Sequence, residues 1–219
     1  MFQNLLQLAK LLRAYRWTLS TDPSVRLQGT ANISGNIHSS RYLAIPMREM
    51  SRLLGFFQLL EQTQDVHGDI VECGVGHGKS LVYLAMGAYH LALNKKIHGF
   101  DSFEGFPDPS SKDASYRNPK RGDWSDTSES AVRERFILAG MKGVLENHVI
   151  LYKGYFSETL QTQAPQNISL LHIDCDLHRS YLDVLEHCYP RCQAGAVIVF
   201  DEYEDSKFPG AKLAVDEFF

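Results

Sequence analysis

This 219-residue chain has few of the features that point to a membrane, a nucleic acid or a metal–cysteine framework. No apolar run approaches the roughly 18–20 residues needed to cross a bilayer, so no membrane-spanning segment is expected. Lysine and arginine number 22 against 26 acidic residues, a net charge of -4, and without a basic surplus nothing global points to nucleic acid. Cysteine is confined to Cys73, Cys175, Cys188 and Cys192, with no Cys-x-x-Cys pair, and the nine histidines include no His-x-x-x-His pair. Both absences argue against zinc or disulfide scaffolding and fit a reducing cytoplasm. Internal repeats and low-complexity segments are also missing. What remains, at 44% hydrophobic and 22% charged, is a soluble globular composition with room for one well-filled α/β domain.

The chain opens on Phe2, Leu5, Leu6, Ala9 and Leu12 at helical spacing, with Lys10, Arg13 and Arg16 interspersed. Charge within and after the apolar run is unlike a signal peptide. A basic amphipathic helix docked on the domain or on a second subunit is expected, which favours a homodimer. Residues 18–40, rich in Thr, Ser, Asp, Pro, Asn and Gly, read as a loop or mobile cover. Residues 1–62 are therefore assigned to an N-terminal helical and loop segment, a lid or dimerisation element, and 63–219 to the main domain.

A strong amphipathic helix is expected over Met47–Gln62, and from there strands and helices alternate. Strands are expected at Asp69–Cys73, Lys96–Phe100, His148–Lys153, Ser169–Ile173 and Ala196–Phe200. Helices are expected at Ser80–Leu93, from about Ser128 with Asp126 and Glu129 at capping-box spacing, at Tyr181–Tyr189 and from about Ala211. Short apolar β-branched strands separated by helices or long crossovers mean a mostly parallel sheet with helices on both faces, an α/β Rossmann-like fold. Ligands in such folds gather beyond the carboxyl ends of the strands.

At the first of those ends stands Val71-Glu72-Cys73-Gly74-Val75-Gly76-His77-Gly78. A P-loop needs four residues between its first glycine and Gly-Lys-Ser, whereas Gly74 and Gly78 are separated by three. A dinucleotide turn places its third glycine two residues after the second, and that position is Lys79. Acid-x-Gly-x-Gly-x-Gly remains, the shape of the first motif of S-adenosylmethionine (SAM)-dependent methyltransferases. Gly74, Gly76 and Gly78, with Ser80 at the following helix start, are the cofactor-binding candidates. Glu72 is expected to orient the cofactor's amino-acid end through the backbone or a bound water. Asp101, 29 positions beyond Glu72 and followed by Ser102, is placed to accept hydrogen bonds from ribose hydroxyls. NAD and SAM share that feature, so an NAD-linked oxidoreductase stays open as an alternative.

Asp174, Asp176, Asp201 and Glu202 close two further strands and put oxygen donors on a common rim, which suits magnesium or another hard divalent cation. Such an ion would hold an acceptor hydroxyl and lower its pKa. His178 is a candidate base because the ordinary imidazole pKa lies near neutrality. Phe103, Phe106, Tyr155 and Phe156 are candidates to stack on adenine or a planar substrate. The alternative reading of the acids is that they cap helices and pair with Arg179, Lys207 or Lys212.

Gly-Phe-Asp-Ser-Phe-Glu-Gly-Phe-Pro at 99–107, Lys-Gly-Tyr-Phe-Ser-Glu-Thr-Leu at 153–160, His-Ile-Asp-Cys-Asp-Leu at 172–177 and Phe-Asp-Glu-Tyr at 200–203 follow in consistent order. With these motifs the chain resembles the macrocin O-methyltransferase (TylF-type) family over about residues 42–219. The resemblance implies a Rossmann-like SAM-binding fold, magnesium dependence and methylation of a small-molecule hydroxyl, a sugar or natural-product acceptor. It implies Asp174, Asp201 and Glu202 as metal ligands, with Asp174 or Asp176 near the proton acceptor. Three departures stand out: Glu202 where a second aspartate is common, His178 where a tyrosine is common, and no hairpin strands after the helix near Ala211. Missing C-terminal strands would leave an exposed sheet edge, and an acceptor pocket that lacked them would leave a non-catalytic SAM-binding module. The loop 104–127 and the N-terminal segment are expected to close over the substrate.

Overall fold

A computed structural model describes residues 47–219, which hold five strands and seven α-helices. The amphipathic segment at the start of the chain and the loop at 18–40 lie outside the described residues. The order is α1 (Met47–Gln62), β1 (Asp69–Cys73), α2 (Lys79–His90), β2 (Ile97–Asp101), α3 (Glu129–Leu138), α4 (Lys142–His148), β3 (Val149–Lys153), α5 (Phe156–Gln163), β4 (Ile168–Ile173), α6 (His178–Cys188), β5 (Cys192–Phe200) and α7 (Pro209–Phe218). None of these helices is long and apolar enough to cross a membrane.

All strands pair in parallel in the order β3-β2-β1-β4-β5. Side chains that alternate along each strand feed two apolar layers. Ile70 and Leu170 join Phe56, Leu60, Leu81, Leu84, Phe136 and Leu145 on one face. Val71, Cys73, Leu171 and Ile173 join Leu160, Tyr181, Leu185, Ala211 and Ala214 on the other. α1, assigned by sequence to the N-terminal segment, belongs to the unit Pro46–Phe219 and supplies Phe56 and Leu60 to the first layer. β5 lies at the sheet edge and none of its residues is fully buried.

The strand pattern matches expectation to within a residue except at β5, which starts four residues early. Two helices went unread. α4 and α5 bury only Val144 and Leu145, and Thr159 and Leu160, respectively, too little apolar surface to leave a helical period. α3 is capped by Ser128, whose Oγ accepts the Ala131 N–H at 3.1 Å; Asp126 lies outside the helix as an exposed partner of His77. The expected capping box is therefore replaced by a single serine cap two residues further on.

Candidate active site

The strand order reverses direction between β1 and β4, and the crevice beyond their carboxyl ends opens into a cleft of about 900 Å³. Its walls take in the glycine turn, Asp101, the acids after β4 and β5, and Arg52 from α1.

The glycine turn is shaped by close approach. Gly74 has φ +94° and its N–H donates to the Phe100 carbonyl at 2.9 Å; a Cβ there would stand 1.7 Å from the Asp174 carbonyl oxygen. Only glycine lets β1 and β4 meet so tightly. Gly76, at φ +50°, presents open space where a Cβ would be, so its backbone faces the cleft. Its N–H donates to Asp101 Oδ2 at 2.7 Å, and the Phe103 N–H donates to Oδ1 at 2.7 Å. Burial raises the Asp101 pKa, and these backbone donors pull against that rise. Ser102 donates to the Gly105 carbonyl at 2.9 Å and turns the chain into the following loop. Ser80, buried at the start of α2, lies on the cleft wall with Gly74, Gly76, Asp101 and Ser102.

Glu72 is not on that wall. Its carboxylate is fully buried on the α1 side of the sheet, where Oε1 meets His172 Nδ1 at 2.9 Å, while Glu72 Oε2 and His172 Nε2 have no hydrogen-bond partner. Its contribution is made inward to β4 rather than into the cleft.

The second half of the rim is acidic. Arg52 bridges Asp174 Oδ2, at 3.6 Å, and Asp201 Oδ1, in direct contact. The expected partners Arg179, Lys207 and Lys212 do not take this place. Arg179 pairs with Asp183 and Glu186, and Lys212 with Asp216 and Glu204. Burial would raise the Asp201 pKa, but the neighbouring His172 and Arg52 hold it down at about 2. Burial would likewise lower His172, yet Asp201 and Glu72 outweigh it and raise the imidazole to about 9. Asp176, held at φ +62°, is pushed up to about 8 by burial and by the charges of Asp174 and Asp201. Burial next to Asp174 and Asp176 also raises Glu202, whose Oε2 accepts the Tyr181 hydroxyl at 2.6 Å and the Asp176 N–H at 3.4 Å. A desolvated cluster of like charges with a single guanidinium between its members is stabilised by any further cation.

Of the three expected metal ligands, Asp174 and Asp201 converge, and the third residue with a donor atom within 4.8 Å of both is His172. Hard carboxylate oxygens and an unpartnered buried imidazole nitrogen fit a divalent ion. Glu202 lies beside them, with Oε2 accepting from the Tyr181 hydroxyl and the Asp176 N–H.

His178 is a correction. As the first residue of α6 it points away from the cleft: Nε2 lies 2.9 Å from Glu217 Oε2 and 3.2 Å from Lys112 Nζ, and its N–H donates to Asp113 Oδ1 at 2.7 Å. It fastens the loop after β2 to α7 and is not among the residues that wall the cleft. That loop is itself docked, with Ser115 donating to the Lys207 carbonyl and Thr127 to the Gly76 carbonyl, each within 2.7 Å. From it Phe106, Pro107, Arg117 and Trp124 wall the cleft, joined by Tyr155 and Phe156 after β3. Phe103, by contrast, is buried in the first apolar layer.

Sequence reasoning missed Arg52 and His172. The Arg52–Asp201 pair spans 149 positions, which no local spacing reports. His172 stands in an apolar strand and reads there as packing; its one signal is a position two residues before Asp174, on the same face of the chain.

A five-stranded parallel sheet with a glycine turn and an acid closing β2 beside its switch point defines a Rossmann-like cofactor-binding domain. The chain belongs to the macrocin-O-methyltransferase (TylF) family, whose model matches residues 28–219. It is 29% identical over 77% of its length to demethyldecarbamoylnovobiocin O-methyltransferase of Streptomyces niveus, covering 65% of that protein. It is 29% identical over 70% of its length to mycinamicin III 3''-O-methyltransferase of Micromonospora griseorubida, covering 61% of it. The chain thus spans under two thirds of the length of these curated relatives. Among solved structures, the O-methyltransferase NovP superposes with a TM-score of 0.67 at 29% identity, over 77% of this chain and 71% of that one. The calicheamicin methyltransferase gives 0.65 at 28%, over 78% and 72%. These neighbours share the Rossmann-like fold with this chain.

Proposed function

We propose that this protein is a SAM- and divalent-ion-dependent O-methyltransferase that methylates a hydroxyl of a small molecule, a sugar or glycosylated natural product in particular, with magnesium as the physiological ion. The observation that carries the reading is the meeting of two unlike half-sites in one cleft. A glycine turn with its buried Asp101 lies on one side, and Asp174 and Asp201, brought together from separate strands, lie on the other. Family membership and the activities in the names of both relatives support it.

Bound SAM supplies a methyl group on a positively charged sulfonium, and a divalent ion lowers the pKa of the acceptor hydroxyl. Gly74 and Gly76 let backbone approach the donor, and Asp101 holds the turn while offering its remaining lone pairs to a ribose. Asp174 and Asp201 hold the ion and give the cleft a negative field that favours the sulfonium. Asp176 is the group placed to take the hydroxyl proton on a carboxylate oxygen as the new O–CH₃ bond forms. Burial and the charges of Asp174 and Asp201 raise its pKa to about 8, and a cation among them would offset that rise and return it to the ionised form that can accept the proton. Arg117, Trp124 and Tyr155 form the wall that an acceptor would meet. The four cysteines are free and three of them buried, in keeping with a cytoplasmic enzyme.

The test is turnover of SAM to S-adenosylhomocysteine with a panel of glycosylated and diol-bearing acceptors, with magnesium and with chelator. Asp174→Asn should cut turnover about 10²–10³-fold and leave donor affinity within about threefold. Calorimetric SAM binding with no turnover on any acceptor would support a donor-binding module instead.

A further inference from the structure

The loop that leaves β2 and returns to α3 is tied at both ends to one residue of the glycine turn. Asp101, where the loop begins, accepts the Gly76 N–H on Oδ2 at 2.7 Å, and Thr127, where it closes, donates its hydroxyl to the Gly76 carbonyl at 2.7 Å. The peptides on the two sides of Gly76 are thus held one by each end of the loop. Packing does not hold them. A Cβ at Gly74 would strike the Asp174 carbonyl and one at Gly78 would stand 2.8 Å from Val132 of α3, whereas the space at Gly76, φ +50°, is open. A glycine with that freedom keeps a fixed peptide direction through hydrogen bonds.

The returning limb of the loop depends on the same bond. No residue from Lys120 to Thr127 is buried, so hydrogen bonds rather than packing set its place. The Phe106 N–H donates to the Asp123 carbonyl at 2.9 Å and the Gly122 N–H to the Phe106 carbonyl at 3.0 Å, which clasps the two limbs together. Beyond that clasp the chain runs past Trp124 to α3, and Thr127 ties it down on the turn. The pair of Asp126 with His77, 3.5 Å apart and between exposed groups, adds little. Thr127 itself walls the cleft together with Arg117 and Trp124.

We propose that Thr127 is a positioning residue that keeps two surfaces in register: its hydroxyl fixes the Gly76 peptide for the donor and, by the same bond, seats the Trp124 limb against the acceptor. The inference rests on the methyltransferase reading above and deepens it. Donor turn and acceptor wall share one hydrogen bond, so removing the hydroxyl loosens both at once.

The experiment uses the full chain carrying Trp17→Phe, which leaves Trp124 as its single tryptophan. Affinity for S-adenosylhomocysteine is read by calorimetry, and the accessibility of Trp124 by acrylamide quenching. Against this parent, Thr127→Val should weaken S-adenosylhomocysteine about 2–10-fold, the effect of one neutral hydrogen bond, and raise the unliganded quenching constant at least about 1.5-fold. Thr127→Ser, which keeps the hydroxyl, should return both values to near those of the parent. If Thr127→Val does not fold, Thr127→Ala removes the same bond with less bulk and takes its place. No change, a change in only one of the two values, or a loss of both that Thr127→Ser does not restore overturns the proposal and leaves the methyltransferase reading standing. A parent protein that does not bind S-adenosylhomocysteine overturns the proposal together with the donor site beneath it.

Discussion

The two halves of the rim are built on opposite electrostatic terms. Where the glycine turn meets the end of β2, the acid that faces the cleft is already satisfied: both Asp101 oxygens accept backbone N–H groups, and Gly74 packs against the Asp174 carbonyl. Around β4 and β5 the same residue types are left unbalanced, with Asp176 and Glu202 raised, Asp201 lowered, His172 Nε2 unpartnered, and Arg52 shared between two acids. A satisfied half is rigid before any ligand arrives, which suits a cofactor common to many reactions. An unbalanced half gains most from a cation, and so couples order to ligand binding.

The contrast breaks hardest at Gly74. Gly74→Ala puts a methyl group 1.7 Å from the Asp174 carbonyl oxygen at φ +94°, and should cost at least about 3 kcal/mol in denaturant unfolding, whereas Gly76→Ala, with open space at its Cβ, should cost about 1 kcal/mol. Equal costs would mean that the satisfied half is not held by close approach. On the acidic side, Arg52→Gln should lower stability by about 1–3 kcal/mol in chelator, and a saturating divalent ion should restore most of it. A loss that no ion recovers would show that Arg52 serves packing rather than charge balance.

His172 sharpens the comparison through pH. Its imidazole is raised from 6.5 to about 9, so in chelator its stabilising contribution is complete below pH 6.5 and is lost as pH rises through about 9. The slope should be at most about 1.4 kcal/mol per pH unit in urea titrations, and His172→Gln should flatten it. The smallest effect is expected at His178, bonded to Glu217 and Lys112 outside the cleft: His178→Gln should leave methyl transfer within about twofold. A large loss of turnover with unchanged folding would return His178 to the list of bases.

Much of the framework was legible along the chain because its signals are local. β1, β2 and β4 are short segments buried in nearly every position, and acids stand at or just after their ends wherever a parallel sheet is drawn. Two helices escaped for the converse reason: α5, Phe-Ser-Glu-Thr-Leu-Gln-Thr-Gln, is mostly polar and buries Thr159 and Leu160 alone. At the site, Gly74, Asp101, Asp174 and Asp201 sit where a turn and three strand ends put them. Glu72 and His178 did not follow, since the direction of a side chain depends on which neighbour lies across the sheet or the helix. Glu72 meets His172 through pairing of β1 with β4, and His178 meets Glu217 through the packing of α6 on α7.

By itself, then, the amino-acid order settled the parallel α/β framework, the glycine turn and which strand ends carry acids, all consequences of residue type and short-range period. Tertiary structure alone decided how those acids are balanced: that Arg52 reaches Asp174 and Asp201 from α1, and that Glu72 and His172 form a buried pair beneath them. Charge balance in a desolvated cleft depends on distances between residues up to 149 positions apart, and Coulomb energy is set by separation in space, which sequence spacing does not carry.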